Sequence, residues 1–215
     1  MPTNYGTARG RMVREQLIPR GITDPGVLKA METTPRHLFV EDALRGQAYG
    51  DYCLPIGEGQ TISLPYIVAL MTQSLGLTPE ATVLEIGTGC GYQTAVLSAL
   101  CAKVYTVERL KPLMIKARRA FDQLHYLNIV CKFDDGTLGW KAHAPFDAII
   151  VTAAAPEIPQ ALLDQLADPG RMVLPVGNRQ GQELMVISKR QGQLFHTTVE
   201  QARFVPLIGE QGWQG

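Results

Sequence analysis

Three glycines at alternate positions, Gly87, Gly89 and Gly91, follow the short apolar run Val83-Leu84-Glu85-Ile86. They precede Tyr92, Ala95, Val96, Leu97 and Leu100, which fall at helical spacing. A strand that stops at a glycine turn and resumes as a helix leaves backbone N–H groups uncovered at the helix N-terminus, a place suited to part of a nucleotide. A dinucleotide fingerprint would put its third glycine at Tyr92, one residue later than Gly91. Glu108 stands seventeen positions after Gly91, at the end of the next strand reading, Lys103 to Val107. An acid at that strand tip is placed to take both hydroxyls of a ribose. Taken singly, the turn is an ordinary tight turn and Glu108 a solvated carboxylate; together they predict a nucleoside-bearing ligand. Glu85 is expected to brace the N–H groups of the turn.

The elements that must carry these residues are readable in order. Met12, Val13, Gln16 and Leu17 predict an amphipathic helix over 7–17, closed by Pro19 and Gly21. Asp24-Pro25 caps a second helix with Val27, Leu28 and Met31 on its apolar face. The passage 46–59 reads as a long irregular loop, and such loops are usually functional or mobile. It leads into Thr61-Ile62-Ser63-Leu64-Pro65, where a helix begins with Ser63 or Leu64 at the cap position. After the glycine turn come a helix over 112–124, a strand over 129–133, a strand over 148–151, a helix over 159–166 and a strand over 172–176. The tail 183–205 alternates as paired strands around Gln191-Gly192. The predicted fold is α/β: a doubly wound, mostly parallel sheet with an N-terminal helical cap and antiparallel C-terminal edge strands. It forms one domain, with cap and substrate loop over 1–77, cofactor core over 78–177 and C-terminal strands over 178–215.

The composition narrows the partners. The 215 residues include 46% hydrophobic and 19% charged types, enough for a full core, and the formal net charge is zero. Nothing there argues for nucleic acid or an anionic membrane. No apolar run approaches the roughly 20 residues that span a bilayer, and Met1-Pro2-Thr3-Asn4 begins no signal peptide, so a cytoplasmic chain is expected. Cys53, Cys90, Cys101 and Cys131 lack metal spacing, and no metal is expected. His37, His125, His143 and His196 are scattered, and none is assigned a catalytic role. With no surplus apolar face evident, a monomer is expected.

The segment Glu85-Ile86-Gly87-Thr88-Gly89-Cys90-Gly91-Tyr92-Gln93-Thr94 resembles the cofactor-binding signature of the protein-L-isoaspartate O-methyltransferases. Thr61 to Tyr66, Phe146 to Pro156 and Leu174-Pro175-Val176-Gly177 resemble the same family, and the likeness runs from about Met12 to Leu207. It implies a Rossmann-like methyltransferase fold and S-adenosyl-L-methionine as cofactor, leaving S-adenosyl-L-homocysteine. Carried over, it implies cofactor contacts at Ile62, Ser63, Glu85, Gly87, Thr88, Gly89, Gly91 and Glu108, with Asp135 and Gly136 at the adenine. Ser63 matches the family's active-site serine. Thr61, Ile62, Ala154, Ala155 and Pro156, with Val205, Pro206 and Leu207, match its walls for an extended peptide. Two positions depart from the family pattern: Cys90 stands for a usual serine, and Leu64 for a glutamine common in bacterial-type members.

The implied reaction is methyl transfer to the free carboxylate of L-isoaspartyl residues in damaged proteins and peptides. The ester then cyclises to a succinimide that hydrolyses toward normal aspartate, so the protein repairs aged or unfolded chains. A carboxylate is already a nucleophile at neutral pH, with a pKa near about 4, so no general base is needed. Ser63 also has a plain reading as a helix N-cap, and Asp135 one as a turn residue before glycine. Two rivals stand beside the repair reading: a methyltransferase of another carboxylate or small molecule, and a non-catalytic module that binds the cofactor.

Overall fold

Apolar runs buried on both faces build the centre of the molecule, which a computed structural model describes over residues 4–214. Met1, Pro2 and Thr3, on which the reading of the N-terminus as no leader rests, lie outside the described residues. The core strands are β3 (Thr82–Ile86), β4 (Lys103–Glu108), β5 (Ile129–Phe133), β6 (Phe146–Val151) and β7 (Leu166–Gly177), all parallel. The antiparallel hairpin β8 (Gln182–Arg190) and β9 (Gln193–Ala202) extends the sheet at one edge. Its order is β5-β4-β3-β6-β7-β8-β9. The chain winds outward from β3 through β4 to β5, then returns to lay β6 on the other side of β3. The crevice at the carboxyl ends of β3 and β6 is therefore the topological switch point, where open α/β sheets bind ligands.

Side-chain alternation along each strand feeds two layers. Val83 packs with Val104, Val96, Leu97 and Phe121 on one face, whereas Leu84 and Ile86 pack with Val107, Phe146 and Ile149 on the other. The first layer is covered by α3 (Pro65–Leu75), α4 (Tyr92–Ser98) and α5 (Lys111–Gln123). Met12, Leu17, Met31 and Phe39 of the N-terminal cap belong to that same apolar cluster. In the cap, α1 (Tyr5–Met12) runs on through a wider helical turn to Leu17, and Gly21 turns the chain at φ +87°. Asp24 caps α2 (Pro25–Thr33), its carboxylate accepting the Val27 N–H at 3.0 Å.

Two expectations are corrected. The passage 46–59 is not irregular throughout: β1 (Leu54–Gly57) pairs antiparallel with β2 (Gln60–Ile62). The turn between them, Gly57-Glu58-Gly59, has positive φ at each residue. Strands of four and three residues, the first containing proline and glycine, are too short to be read locally. Strand β7 also begins at Leu166 rather than Met172, because Leu166 pairs with Phe146 before a register shift restores the ladder at Arg171.

Candidate active site

The glycine turn takes its shape from neighbours that leave no room for side chains. Gly87 has φ +92°, and a Cβ there would lie 2.5 Å from Thr152 Oγ1. That hydroxyl donates to the carbonyls of Gly87 at 2.6 Å and Ile86 at 3.1 Å, tying the ends of β3 and β6 together. Gly91 also has φ +92°, and a Cβ would meet the Phe121 ring of α5 at 2.6 Å. Gly91 thus serves close packing and the start of α4, and it is not a lining residue of either hollow described below.

Glu108 is buried and clamps the turn. Its Oε2 accepts the Gly89 N–H at 2.8 Å and its Oε1 accepts the Leu110 N–H at 2.8 Å. An ionised carboxylate offers about four lone-pair sites, so two acceptors remain for a diol.

Glu85 is placed elsewhere than expected. It shares the Val83 face of β3, pairs in register with Thr106, and is 0% exposed. Its Oε2 accepts the Thr94 hydroxyl and, at 2.7 Å, the Thr106 hydroxyl, while Thr88 and Thr106 hydroxyls lie 2.6 Å apart. It braces β3 against β4 and α4, not the N–H groups of the turn; strand parity, one position from the tip, turns it inward. Burial pushes its carboxyl up to about 8, against the pull of the two hydroxyls.

A cleft opens at the switch point, between the carboxyl ends of β3 and β6. Gly87, Gly89, Glu108 and Gly136 line it together with Thr61, Val205, Pro206 and Leu207. A second, smaller hollow shares Thr61, Gly87, Gly89 and Thr152 with it, and reaches Ile62, Ser63, Thr88 and Cys90. The two are the ends of one site. Ser63 follows β2 and precedes α3, but Leu64 occupies the cap position and no side chain caps that helix. The Ser63 hydroxyl makes no hydrogen bond among the described residues, and its carbonyl accepts from Arg36 Nη2 at 2.7 Å. The N-cap reading of Ser63 therefore falls away.

Other expected residues take supporting places. Asp135 caps its own turn, its Oδ1 accepting the Thr137 N–H at 2.8 Å and its Oδ2 the Glu210 N–H at 2.7 Å. Only the neighbouring Gly136 lines the cleft. Ala154 and Ala155 are buried against the segment 205–207, and they and Pro156 stay out of the cleft. The Ala154 N–H donates to Val205 O at 2.8 Å and its carbonyl accepts the Leu207 N–H at 2.8 Å, so it pins the segment that does line it. Trp213 Nε1 reaches the same carbonyl at 3.1 Å. Ala153, at the start of the loop likened to a peptide wall, does line the cleft, as do Thr152 just before it and Ile56 and Gln60, which were not singled out. Thr152 was legible as the residue just past the β6 run; Ile56 and Gln60 were hidden with the hairpin.

The residues present fit a nucleoside cofactor: a glycine cradle that a Cβ would close, and a carboxylate with acceptors to spare. With the doubly wound sheet they define a Rossmann-like methyltransferase. A family model described as protein-L-isoaspartate(D-aspartate) O-methyltransferase matches residues 8–212. The chain is 56% identical over 214 residues to the protein-L-isoaspartate O-methyltransferase of Desulfotalea psychrophila, covering 100% of both chains. It is 56% identical to that of Trichlorobacter lovleyi, covering 98% of each. A solved protein-L-isoaspartate O-methyltransferase superposes with a TM-score of 0.86 at 28% identity, over 95% of this chain and 67% of that one. A Plasmodium falciparum protein assigned to the same enzyme class, in complex with S-adenosyl-L-homocysteine, gives 0.80 at 25% identity, over 96% and 99%. The chain belongs to the protein-L-isoaspartate(D-aspartate) O-methyltransferase family, S-adenosylmethionine-dependent enzymes of protein repair. Among the described residues no cluster of potential metal ligands occurs, and no helix is long and apolar enough to cross a membrane.

Proposed function

We propose that the two joined hollows form the site of this repair methyltransferase, with different lining residues serving cofactor and substrate. Gly87, Gly89, Glu108 and Gly136 hold the cofactor, and Thr61, Ser63, Val205, Pro206 and Leu207 align the isoaspartyl segment. When bound, S-adenosyl-L-methionine would supply an electrophilic methyl on its sulfonium for transfer to the substrate carboxylate oxygen, its sulfur being left as a thioether. The chain's task is alignment, which can contribute roughly 7–11 kcal/mol toward the barrier. Glu108 accepts the ribose hydroxyls with its two remaining sites while holding Gly89. Ser63, whose hydroxyl has no internal partner, donates to the reacting carboxylate and fixes its direction. The pinned segment 205–207 offers an edge along which an extended peptide lies.

The observation that carries this reading is the Ser63 hydroxyl, free of any cap, in the hollow that shares Gly87 and Gly89 with the larger cleft. No histidine lines either hollow, which suits a nucleophile that needs no base. The free cysteines suit a reducing compartment, supporting a cytoplasmic enzyme, which we take to act as a monomer without nucleic acid. A transfer assay with paired L-isoaspartyl and L-aspartyl versions of one peptide tests it. Methylation of the isoaspartyl form alone is expected; equal activity on both, or on neither, would refute it.

A further inference from the structure

Arg36 is the bulkiest wholly buried side chain among the described residues, with 0% exposure. Its Nε donates to Ala48 O at 2.7 Å and its Nη2 to Ser63 O at 2.7 Å, while Nη1 has no partner. Its Cζ lies 4.8 Å from the Tyr92 ring centroid. The titratable groups facing it are Tyr92, Cys90, Cys53 and Tyr49, none of them a carboxylate, and no ion pair reaches it among the described residues. A guanidinium stays charged in proteins, and a buried charge without a counter-ion is strongly unfavourable. Ser63, Cys90 and Tyr92 are lining residues of the smaller hollow, so the charge sits directly behind that wall. An anion delivered at Ser63 would be the missing counter-ion.

We propose that Arg36 is a positioning and specificity residue for the substrate: it fixes the Ser63 backbone, and its uncompensated charge selects a carboxylate over a neutral group there. The inference rests on the repair reading of the site. The reacting carboxylate is negative when bound and neutral as the ester, so its charge falls as the new bond forms. A buried cation behind it therefore favours the bound ground state at least as much as the transition state, and the effect belongs in KM rather than kcat.

Arg36→Met keeps the length and removes the charge. It is expected to raise KM for an isoaspartyl peptide about tenfold, with kcat within about twofold and affinity for S-adenosyl-L-homocysteine unchanged. Arg36→Lys restores a charge without the planar fork and should recover most of the KM. A role confined to packing would lower thermal stability and kcat while leaving KM alone, and that pattern overturns the proposal. A measurement on the unmodified protein stands independently of whether the variants fold. With S-adenosyl-L-homocysteine bound, calorimetry compares the isoaspartyl peptide with the same peptide bearing a carboxamide in place of the free carboxylate. The carboxylate is expected to bind at least about tenfold tighter; equal affinities overturn charge selection. Turnover of the isoaspartyl peptide, measured first, separates the two failures. Its absence refutes the repair reading, whereas turnover with equal affinities refutes only the role of Arg36.

Discussion

The Gly89 N–H and the Glu108 carboxylate meet at 2.8 Å, joining the glycine turn to the end of the neighbouring strand. One acid thus both shapes the turn and faces the cleft. Glu108→Gln removes the negative charge and leaves one oxygen to serve Gly89, Leu110 and the ribose. Hydrogen bonds to a charged group are worth about 1.5–3 kcal/mol. Calorimetry is expected to show affinity for S-adenosyl-L-homocysteine falling by roughly ten- to hundredfold. An unchanged Kd would exclude Glu108 from the ribose.

Ser63→Ala removes a hydroxyl with no hydrogen-bond partner among the described residues, so stability should hold within about 0.5 kcal/mol in urea unfolding. Turnover on an isoaspartyl peptide is expected to drop by roughly ten- to hundredfold, the loss of one hydrogen bond to a charged group. A variant as active as the parent would leave Ser63 without a role in the reaction.

Glu85 makes stability depend on pH. Its folded carboxyl titrates at about 8 because burial opposes the charge, while the unfolded chain titrates near 4.5. The folded state therefore holds a proton that the unfolded state releases. This group's stabilising contribution is complete below about 4.5, declines as pH rises, and is gone above about 8. Glu85→Gln cannot ionise, so unfolding followed between pH 5 and 8.5 should show a flatter decline for the variant. Parallel curves would mean that Glu85 is ionised in the folded protein.

Gly91→Ala would force a side chain into left-handed backbone at φ +92° and against the Phe121 ring at 2.6 Å. Strain and overpacking together should lower stability by about 2–4 kcal/mol, read from the denaturant midpoint. A loss below about 0.5 kcal/mol would show that α5 yields easily.

The cysteines should differ sharply in reactivity. Cys53 is exposed, whereas burial pushes the thiols of Cys90 and Cys131 up to about 11 and that of Cys101 to about 12. Brief alkylation of the native protein at pH 8 should label Cys53 first, as peptide mass spectrometry would report. Early labelling of Cys90 would place its thiol in open solvent.

Much of this architecture was legible because its causes are local. The run Val83 to Ile86, the glycines and the helical spacing from Tyr92 announce strand, turn and helix within a few residues of one another. Ala148 to Val151 announces β6 in the same way. The hairpin 54–62 escaped because its strands are only four and three residues long and carry Pro55 and Gly57, residues that read locally as loop.

The sequence alone determined the α/β winding and the glycine turn, which rest on periodicity and short spacings, and the family likeness, which rests on the quoted segments. Only the tertiary structure decided which side chains face the cleft. Parity and the β3–β4 register turned Glu85 inward to Thr106, and backbone pairing buried Ala154 against Val205 and Leu207. The fold likewise set Arg36 behind Ser63, twenty-seven residues away along the chain. Side-chain direction follows from neighbours distant in sequence, and those neighbours exist only once the sheet is assembled.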